Sequence, residues 1–377
     1  MHIGFLTPEF PPMLGGMAEL ARGLAAGLAA EDRVSVLCLP GHGIEGPWQL
    51  AGHVTGRRRD LKTLIAMERS EDPPDLWLGM NAGLVPLAPH LSRPFFAYFH
   101  GNDFTNPWLA CGPPALEAIR RPYASKVRHA LRRRSIAKAL PSVIHTLTNS
   151  RQTADLIVDR LPAARQQVSV VHPGVGDVFF QEREPADPGP LEILTVTRLS
   201  SHTRRKNVDG VLRALALLGR DIDWRYTVVG DGDDRRRLEA LAEKLELDDR
   251  VRFTGKVDLE GLLEAYRRAG LFVLASKATE QDVEGFGIVY IEAAASGVPS
   301  ICSRAGGATD AVDEAHNGLL IEDSSPVAVA AGVRRFLEER GRFEAAAIRD
   351  YAEGFRWPRI AAQLRAVLVE HLPNSFT

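Results

Sequence analysis

Glu280 to Ile301 reads E-Q-D-V-E-G-F-G-I-V-Y-I-E-A-A-A-S-G-V-P-S-I, and the rest of the chain is organised around it. Two carboxylates, Glu284 and Glu292, stand eight residues apart with Gly285, Phe286 and Gly287 between them. The run Leu271 to Ala275 upstream is apolar and short, as in a buried strand, and Ile288 to Ala295 carries helical spacing. Glu284 therefore falls in the loop that enters the helix, and Glu292 is expected about two turns inside it by the ~3.6-residue repeat. Gly285 and Gly287 allow close approach of backbone to a ligand, and a helix start offers unpaired N–H groups to an anion. A ligand with phosphate at one end and hydroxyls at the other, such as a nucleoside diphosphate-sugar, suits that arrangement.

The pattern E-G-F-G-I-V-Y-I-E-A-A-A-S-G-V-P closely resembles the Glu-x7-Glu signature of family 4 retaining glycosyltransferases. The resemblance implies an α/β chain of GT-B fold, with two Rossmann-like domains facing each other across a cleft and a last helix crossing back to the first. The boundaries expected are 1–180 for the acceptor-side domain, 181–355 for the donor domain and 356–377 for the returning helix.

Composition agrees with a soluble globular protein of that size. A chain of 377 residues is too long for one ordinary core. Hydrophobic residues make up 45% and charged residues 25%, and the net charge of −2 gives no general pull toward nucleic acid. Cys38, Cys111 and Cys302 are far apart and form no CxxC, so a reduced, cytoplasmic protein without a metal site is expected. The strand-like start at His2 argues against a signal peptide, and no apolar run approaches the ~20 residues of a membrane span.

In the first half, His2–Thr7 and Val34–Leu39 read as strands around a helix with Leu20, Leu24 and Leu28 on one face, a β-α-β opening. Neither G-x-G-x-x-G in that first turn nor a P-loop is present, so dinucleotide and P-loop readings lose their main support. Gly15 and Gly16 before the helix resemble the family's glycine loop near the donor diphosphate. Asp75–Gly79 and Phe95–His100 are further strands, and a ligand of an open α/β sheet gathers at their carboxyl ends. His100 there resembles the family's active-site histidine, while Asp103 fits a turn cap equally well. Val143–Thr148, with Asn149-Ser150 as the cap of a following helix, and Val168–Val171 continue the series. His172 is given no catalytic role.

Between Leu116 and Leu140, Arg120, Arg121, Lys126, Arg128, Arg132, Arg133, Arg134 and Lys138 face one acid, Glu117, and Val127, Ala130, Leu131 and Ala137 give a partial apolar face. A solvated helix accounts for such a run. The alternatives are peripheral contact with an anionic membrane or a hold on a phosphorylated acceptor. Nucleic acid is disfavoured, since no aromatic residues interleave the charges.

The proline-rich, acidic stretch 181–190 reads as a linker. After the strand Leu191–Thr197, Arg198 to Lys206 resembles the family's Arg…Lys segment that grips the donor pyrophosphate. Thr197 and Asn207 stand where Gly is common, and a lengthened loop lets Arg204 and Arg205 compete with Lys206. Gly230, Gly255, Lys256 and Val257 are strand-end positions that border the nucleotide in the family, and Gly306 to Asp310 matches a closing loop in outline. The resemblance implies Glu292 on the ribose hydroxyls and Glu284 on the donor sugar near the Phe286, Gly287 and Ile288 amides. Arg198 and Lys206 would face the diphosphate, and His100 the reacting sugar.

The expected reaction moves a hexosyl group, with retention and without metal or other cofactor, from a nucleotide-sugar (GDP or UDP expected) to a hydroxyl acceptor. The acceptor expected is a glycan, a glycolipid or a small molecule, lipid-linked and phosphorylated ones included. A nucleotide-sugar epimerase and a non-catalytic sugar-binding protein of the same fold are the alternatives.

Overall fold

The computed structural model describes residues 1–11, 15–38, 46–53, 60–101, 103, 122–161, 167–181, 189–219, 222–278 and 283–373, with side chains from residue 130 onward in the helix that begins at 122. The described chain falls into two compact units, one of Met1–Gly174 with Trp357–Thr377 and one of Val175–Arg356.

The first unit holds a parallel seven-stranded sheet of order β3-β2-β1-β4-β5-β6-β7. Its strands are β1 (His2–Leu6), β2 (Arg33–Cys38), β3 (Gln49–His53), β4 (Leu76–Gly79), β5 (Phe95–Phe99), β6 (His145–Thr148) and β7 (Val168–Val170). The central strands β1, β4 and β5 are buried along their whole length, which is why they read as continuous apolar runs. Edge strand β3 escapes the sequence reading because its residues are largely exposed and Gly52 interrupts them.

The terminal helix Trp357–His371 belongs to this first unit. It packs along the helix Gly16–Leu28, where two glycines make room. A Cβ at Gly23 would lie 2.2 Å from the Trp357 ring, and one at Gly27 would lie 2.4 Å from the Ala361 methyl. Trp357, Ile360, Leu364 and Leu368 join the core of β1, β2 and β4, and Arg365 Nε donates to the buried Asp32 at 2.8 Å.

The second unit has a parallel six-stranded sheet of order β10-β9-β8-β11-β12-β13. Its strands are β8 (Leu191–Val196), β9 (Trp224–Val229), β10 (Val251–Gly255), β11 (Leu271–Leu274), β12 (Ser300–Ser303) and β13 (Gly318–Ile321). The division falls after Gly174, ahead of the boundary expected at 180. Val175 N–H donates to the Phe355 carbonyl at 2.8 Å, and the Phe179 ring meets Tyr266 edge-on, so residues 175–180 already belong to the second core. Most of the expected linker, 182–188, lies outside the described residues.

Candidate functional site

Each sheet order reverses direction once, between β1 and β4 in the first unit and between β8 and β11 in the second. A crevice opens at the carboxyl ends of the strands at such a reversal. In the second unit the segments leaving β8 and β11 are the two that carry the charged residues singled out above.

The loop after β8 is held by glycines on the neighbouring turn. A Cβ at Gly230 would lie 1.8 Å from the Thr197 carbonyl, and one at Gly232 would lie 2.2 Å from the Leu199 carbonyl. Leu199 N–H donates to Asp231 and the Leu199 carbonyl accepts from Asp234 N–H. Gly230 supplies the space, so Thr197 is accommodated where glycine is usual. The loop then winds into a 3-10 turn, Ser201–Lys206, and stops at Asn207, whose φ of 59° is left-handed. Asn207 holds that conformation because its Nδ2 donates to the Ala275 and Ser324 carbonyls, at 2.9 and 2.8 Å.

The turn separates its cations. Arg204 faces away and pairs with Asp234 at 2.8 Å. Lys206 Nζ and Arg205 Nη1 both reach Glu284 Oε2, at 2.5 and 3.1 Å, and Ser276 Oγ donates to the same oxygen at 3.2 Å. Arg198 is exposed, and its charge is felt at Lys206. Of the residues that competed for the second cationic place, Arg205 thus joins Lys206 and Arg204 does not. Glu284 is only 7% exposed. Burial would raise its carboxyl pKa, but the Lys206 ammonium and the Arg205 guanidinium outweigh it and bring it down to about 2. Burial draws Lys206 below the usual lysine range, Glu284 opposes that, and Arg205 adds to the fall.

The backbone of Glu284 is fixed as well as its side chain. Gly307 N–H donates to the Glu284 carbonyl at 2.7 Å. Gly287, at φ 86°, ends the loop in a left-handed turn, and the helix Ile288–Ala295 begins after it. Glu292, the fifth residue of that helix, lies little more than one turn inside it rather than the two expected. Its carboxylate accepts from Tyr266 OH at 2.8 Å. Phe286 is buried and its ring lies 6.0 Å from that of Phe355, so only its backbone is available to a ligand. Lys256 is exposed just past β10, Val257 packs against the core, and Gly255 pairs with Gly230 across the neighbouring turn. Lys256, Gly230, Arg198 and Glu284 therefore follow adjacent strands along one sheet edge.

In the first unit, Gly15 caps the helix Gly16–Leu28 after β1. His100 follows β5, and its Nε2 lies 2.8 Å from the Met80 carbonyl. A carbonyl only accepts, so Nε2 carries the proton and Nδ1 is the acceptor nitrogen of the neutral ring. Asp103 is 2% exposed and bridges two loops, accepting from His100 N–H at 3.0 Å and from Ala82 N–H at 2.8 Å. His172 Nδ1 lies 3.1 Å from the Asn149 carbonyl.

The basic segment forms the helix Pro122–Ala139. Arg120, Arg121 and Glu117 lie outside the described residues, as do the side chains of Lys126, Val127 and Arg128. Ile136 and Ala139 face the core, whereas Ala130, Leu131 and Ala137 are exposed beside Arg133, Arg134 and Lys138. Ala130, Leu131 and Ala137 of the partial apolar face thus lie on the outer side, Leu131 with 59% of its surface open. No helix among the described residues is long and apolar enough to cross a membrane.

Sequence reading missed Ser276 and Tyr266, which hold the two carboxylates. Neither belongs to a motif, and only the register of β11 and of the helix Leu259–Arg268 brings them there. It also missed a cavity of about 490 Å³ behind the cationic turn, lined by Asn207, Asp209, Arg213, Lys277, Asp323 and Ser325 among others.

Residues 179–354 match the sequence pattern of the glycosyl transferases group 1 family. A GDP-mannose-dependent alpha-(1-6)-phosphatidylinositol monomannoside mannosyltransferase of Mycobacterium tuberculosis is 35% identical over 176 residues, 45% of this chain and 46% of that protein, so the match spans about half of each. A D-inositol 3-phosphate glycosyltransferase of Streptomyces avermitilis is 30% identical over 359 residues, covering 89% of this chain and 70% of that one. Sucrose-phosphate synthase from Thermosynechococcus elongatus, at 22% identity, superposes with a TM-score of 0.74 over 98% of both chains, a likeness that shows the GT-B fold. With that pattern over the second unit and that relative along most of its length, the chain belongs to the glycosyl transferases group 1 family.

Proposed function

We propose that the protein is a retaining, metal-independent glycosyltransferase that moves a hexosyl group from a nucleoside diphosphate-sugar to a hydroxyl acceptor. The observation that carries this reading is the meeting of Lys206 and Arg205 on the single buried carboxylate of Glu284, with Arg198 alongside. A diphosphate leaving group gains charge as the C1–O bond breaks, and fixed cations stabilise it without reorganising. Arg198 and Lys206 take that part. Glu284 binds the donor sugar hydroxyls with the Phe286, Gly287 and Ile288 backbone beside it. Glu292 accepts from the ribose hydroxyls, and Gly230, Lys256 and Val257 border the nucleotide. Gly15 and Gly16 are assigned to the diphosphate, and His100 to the reacting sugar through Nδ1.

In the transfer step the acceptor oxygen bonds C1 on the face the diphosphate leaves, and its proton passes to the departing phosphate oxygen. The paired-carboxylate scheme of glycosidases is a poor fit, because Glu284 is locked to two cations and Glu292 to a tyrosine. The relatives' names suggest GDP-mannose as the first donor to try and inositol-type, phosphorylated or lipid-linked acceptors. Peripheral contact with an anionic membrane through the basic helix fits a lipid-linked acceptor.

A thermal-shift panel of GDP, UDP, ADP and dTDP, each alone and as sugar conjugates, identifies the donor. Transfer to inositol phosphates and lipid-linked inositols is then followed by NMR in EDTA. A product with the donor's anomeric configuration is expected. Inversion, or activity restored only by Mn²⁺ or Mg²⁺, overturns the mechanism, and a protein that binds no conjugate overturns the function.

A further inference from the structure

The proposed function assigns His100 to the reacting sugar and gives no task to the buried carboxylate three residues on. We infer that Asp103 is a positioning residue for His100: its two oxygens close a triangle of hydrogen bonds that keeps the proton on Nε2 and makes Nδ1 the nitrogen that accepts from a sugar hydroxyl. The inference rests on that proposed function and deepens it.

Asp103 is 2% exposed, and burying a carboxylate costs free energy that its partners must offset. The turn cap that its sequence position also suggests would accept from N–H groups two or three residues ahead. These bonds run the other way. One oxygen, Oδ1, accepts from His100 N–H at 3.0 Å, and Oδ2 accepts at 2.8 Å from Ala82 N–H, 21 residues earlier. Gly101, at φ 90°, turns the chain left-handed directly after His100, and residue 103 comes back to the His100 N–H.

Both bonds lead to one segment. Residues 80–82 leave β4 and meet His100 by two routes. The His100 ring donates from Nε2 to the Met80 carbonyl at 2.8 Å, and Ala82 donates to the carboxylate that holds the His100 backbone. The segment is itself fixed. Met80 N–H donates to the Leu6 carbonyl of β1 at 2.8 Å, and Asn81 Oδ1 accepts from Gly83 N–H at 2.7 Å. Asp103 is thus the side of the triangle that ties the turn after β5 to the turn after β4. In a neutral histidine the hydrogen bond at one ring nitrogen decides which of the two carries the proton. Without Asp103 the two turns part, the Nε2–H bond to Met80 weakens, and the Nδ1–H tautomer gains population. That tautomer meets a sugar hydroxyl with a donor where an acceptor is needed. A neutral amide replaces the carboxylate only in part, since it has one accepting oxygen and would face the second N–H with its own NH2.

The test uses the full chain and compares wild type with Asp103→Asn, Asp103→Ala, His100→Ala and the double variant His100→Ala/Asp103→Ala. Asp32→Asn is the control, since it alters a buried carboxylate of the same unit that ties Arg365 and not His100. Turnover of GDP-mannose and UDP-glucose is measured, with hydrolysis as the readout where no acceptor is known, and affinity for GDP and UDP by calorimetry. Spectra of ¹⁵N-labelled histidine at pH 8.5, about two units above the ordinary histidine pKa, report the tautomer of His100, whose signals are those lost in His100→Ala. For Asp103→Ala we expect kcat to fall about 10-fold or more, with GDP and UDP affinity unchanged and the two His100 ring signals drawn toward each other. Asp103→Asn, which keeps one of the two bonds, should fall between, and it carries the test if the alanine variant does not fold. Asp32→Asn should lower the melting temperature and leave the His100 signals in place. In the His100→Ala background, loss of Asp103 should cost no further turnover. Folded Asp103 variants with wild-type kcat and wild-type His100 signals overturn the inference while the function stands. A kcat loss of the same size in the His100→Ala background does so too. His100→Ala with wild-type turnover removes the role of His100 and the inference with it, and a wild type that binds none of these ligands overturns the function.

Discussion

Gly306 stands against Glu284 with no room for a side chain: at φ +69° a Cβ there would lie 2.4 Å from the Glu284 carbonyl oxygen. The adjacent Gly307 donates its N–H to that same oxygen. Two constraints thus fall on Gly306, a left-handed backbone and a backbone-to-backbone approach. Gly306→Ala is expected to cost about 1–3 kcal/mol of stability through strain and to lower donor turnover by displacing Glu284. Thermal unfolding and steady-state kinetics on the variant check both, and an unchanged melting temperature would show that the loop yields freely.

The two carboxylates should separate by ligand. Glu292→Ala loses a charge-assisted acceptor of ~1.5–3 kcal/mol, so affinity even for the bare nucleoside diphosphate should fall roughly 10- to 150-fold. Glu284→Ala should leave that affinity nearly intact and reduce turnover. Tyr266→Phe should weaken nucleotide binding in the same direction as Glu292→Ala and less severely, because Tyr266 OH donates to that carboxylate. Calorimetry giving the opposite order for the two glutamates would exchange their roles.

Acid should loosen the first unit before it reaches Glu284. On β6 the His145 ring lies 3.8 Å from that of His371 in the terminal helix, and its Nε2 bonds Ser169 of β7. Burial, and then the charge of His371, pull its pKa from 6.5 to about 4. The folded chain therefore prefers the neutral ring. Its contribution is complete above pH 6.5 and declines as pH falls from there through 4. Glu284, lowered from 4.5 to about 2, keeps its contribution down to pH 4.5 and loses it progressively as pH falls from there through 2. His145→Asn should flatten the melting temperature between pH 6.5 and 4. A variant whose midpoint drops as steeply as wild type places the acid sensitivity elsewhere.

Charge reversal at Arg132, Arg133 and Arg134 should abolish co-sedimentation with phosphatidylserine-containing vesicles. A cation near such a surface gains ~1 kcal/mol, and three engaged side chains suffice for measurable binding. The exposed Leu131 adds an apolar contact among them, so Leu131→Ser should weaken binding while leaving its salt dependence in place. Wild type that stays in the supernatant with anionic vesicles refutes membrane contact by this helix.

What could be read from the sequence depended on whether a local pattern or a distant partner decides the outcome. The Ile288–Ala295 helix and the central strands follow from runs of apolar residues and from Gly287, all local. The strand β3 did not announce itself, because an exposed edge needs no apolar alternation. Glu284 was legible as a candidate site residue, but its anchors were not. Arg204 and Arg205 are chemically identical, and only the 3-10 turn closed by left-handed Asn207 sends one to Asp234 and the other to Glu284. The helix Pro122–Ala139 shows the same limit. Ala130, Leu131 and Ala137 gave it a partial apolar face, and Ile136 and Ala139 are the residues that seat it.

The slot that Gly23 and Gly27 provide for Trp357 and Ala361 also sets an order of events during synthesis. The second unit is one unbroken stretch, Val175–Arg356, and has all its strands once residue 321 has been made. The first unit has its seven strands early but keeps a hole beside the Gly16–Leu28 helix until residues 357–371 arrive. Domains of a nascent chain generally fold from the N-terminus onward. Here the later-made unit reaches its native core first, and the earlier one waits, part of its apolar surface open, for the helix Trp357–His371 to leave the ribosome. Stop codons placed just before Trp357 should for that reason harm the half of the protein that was translated first.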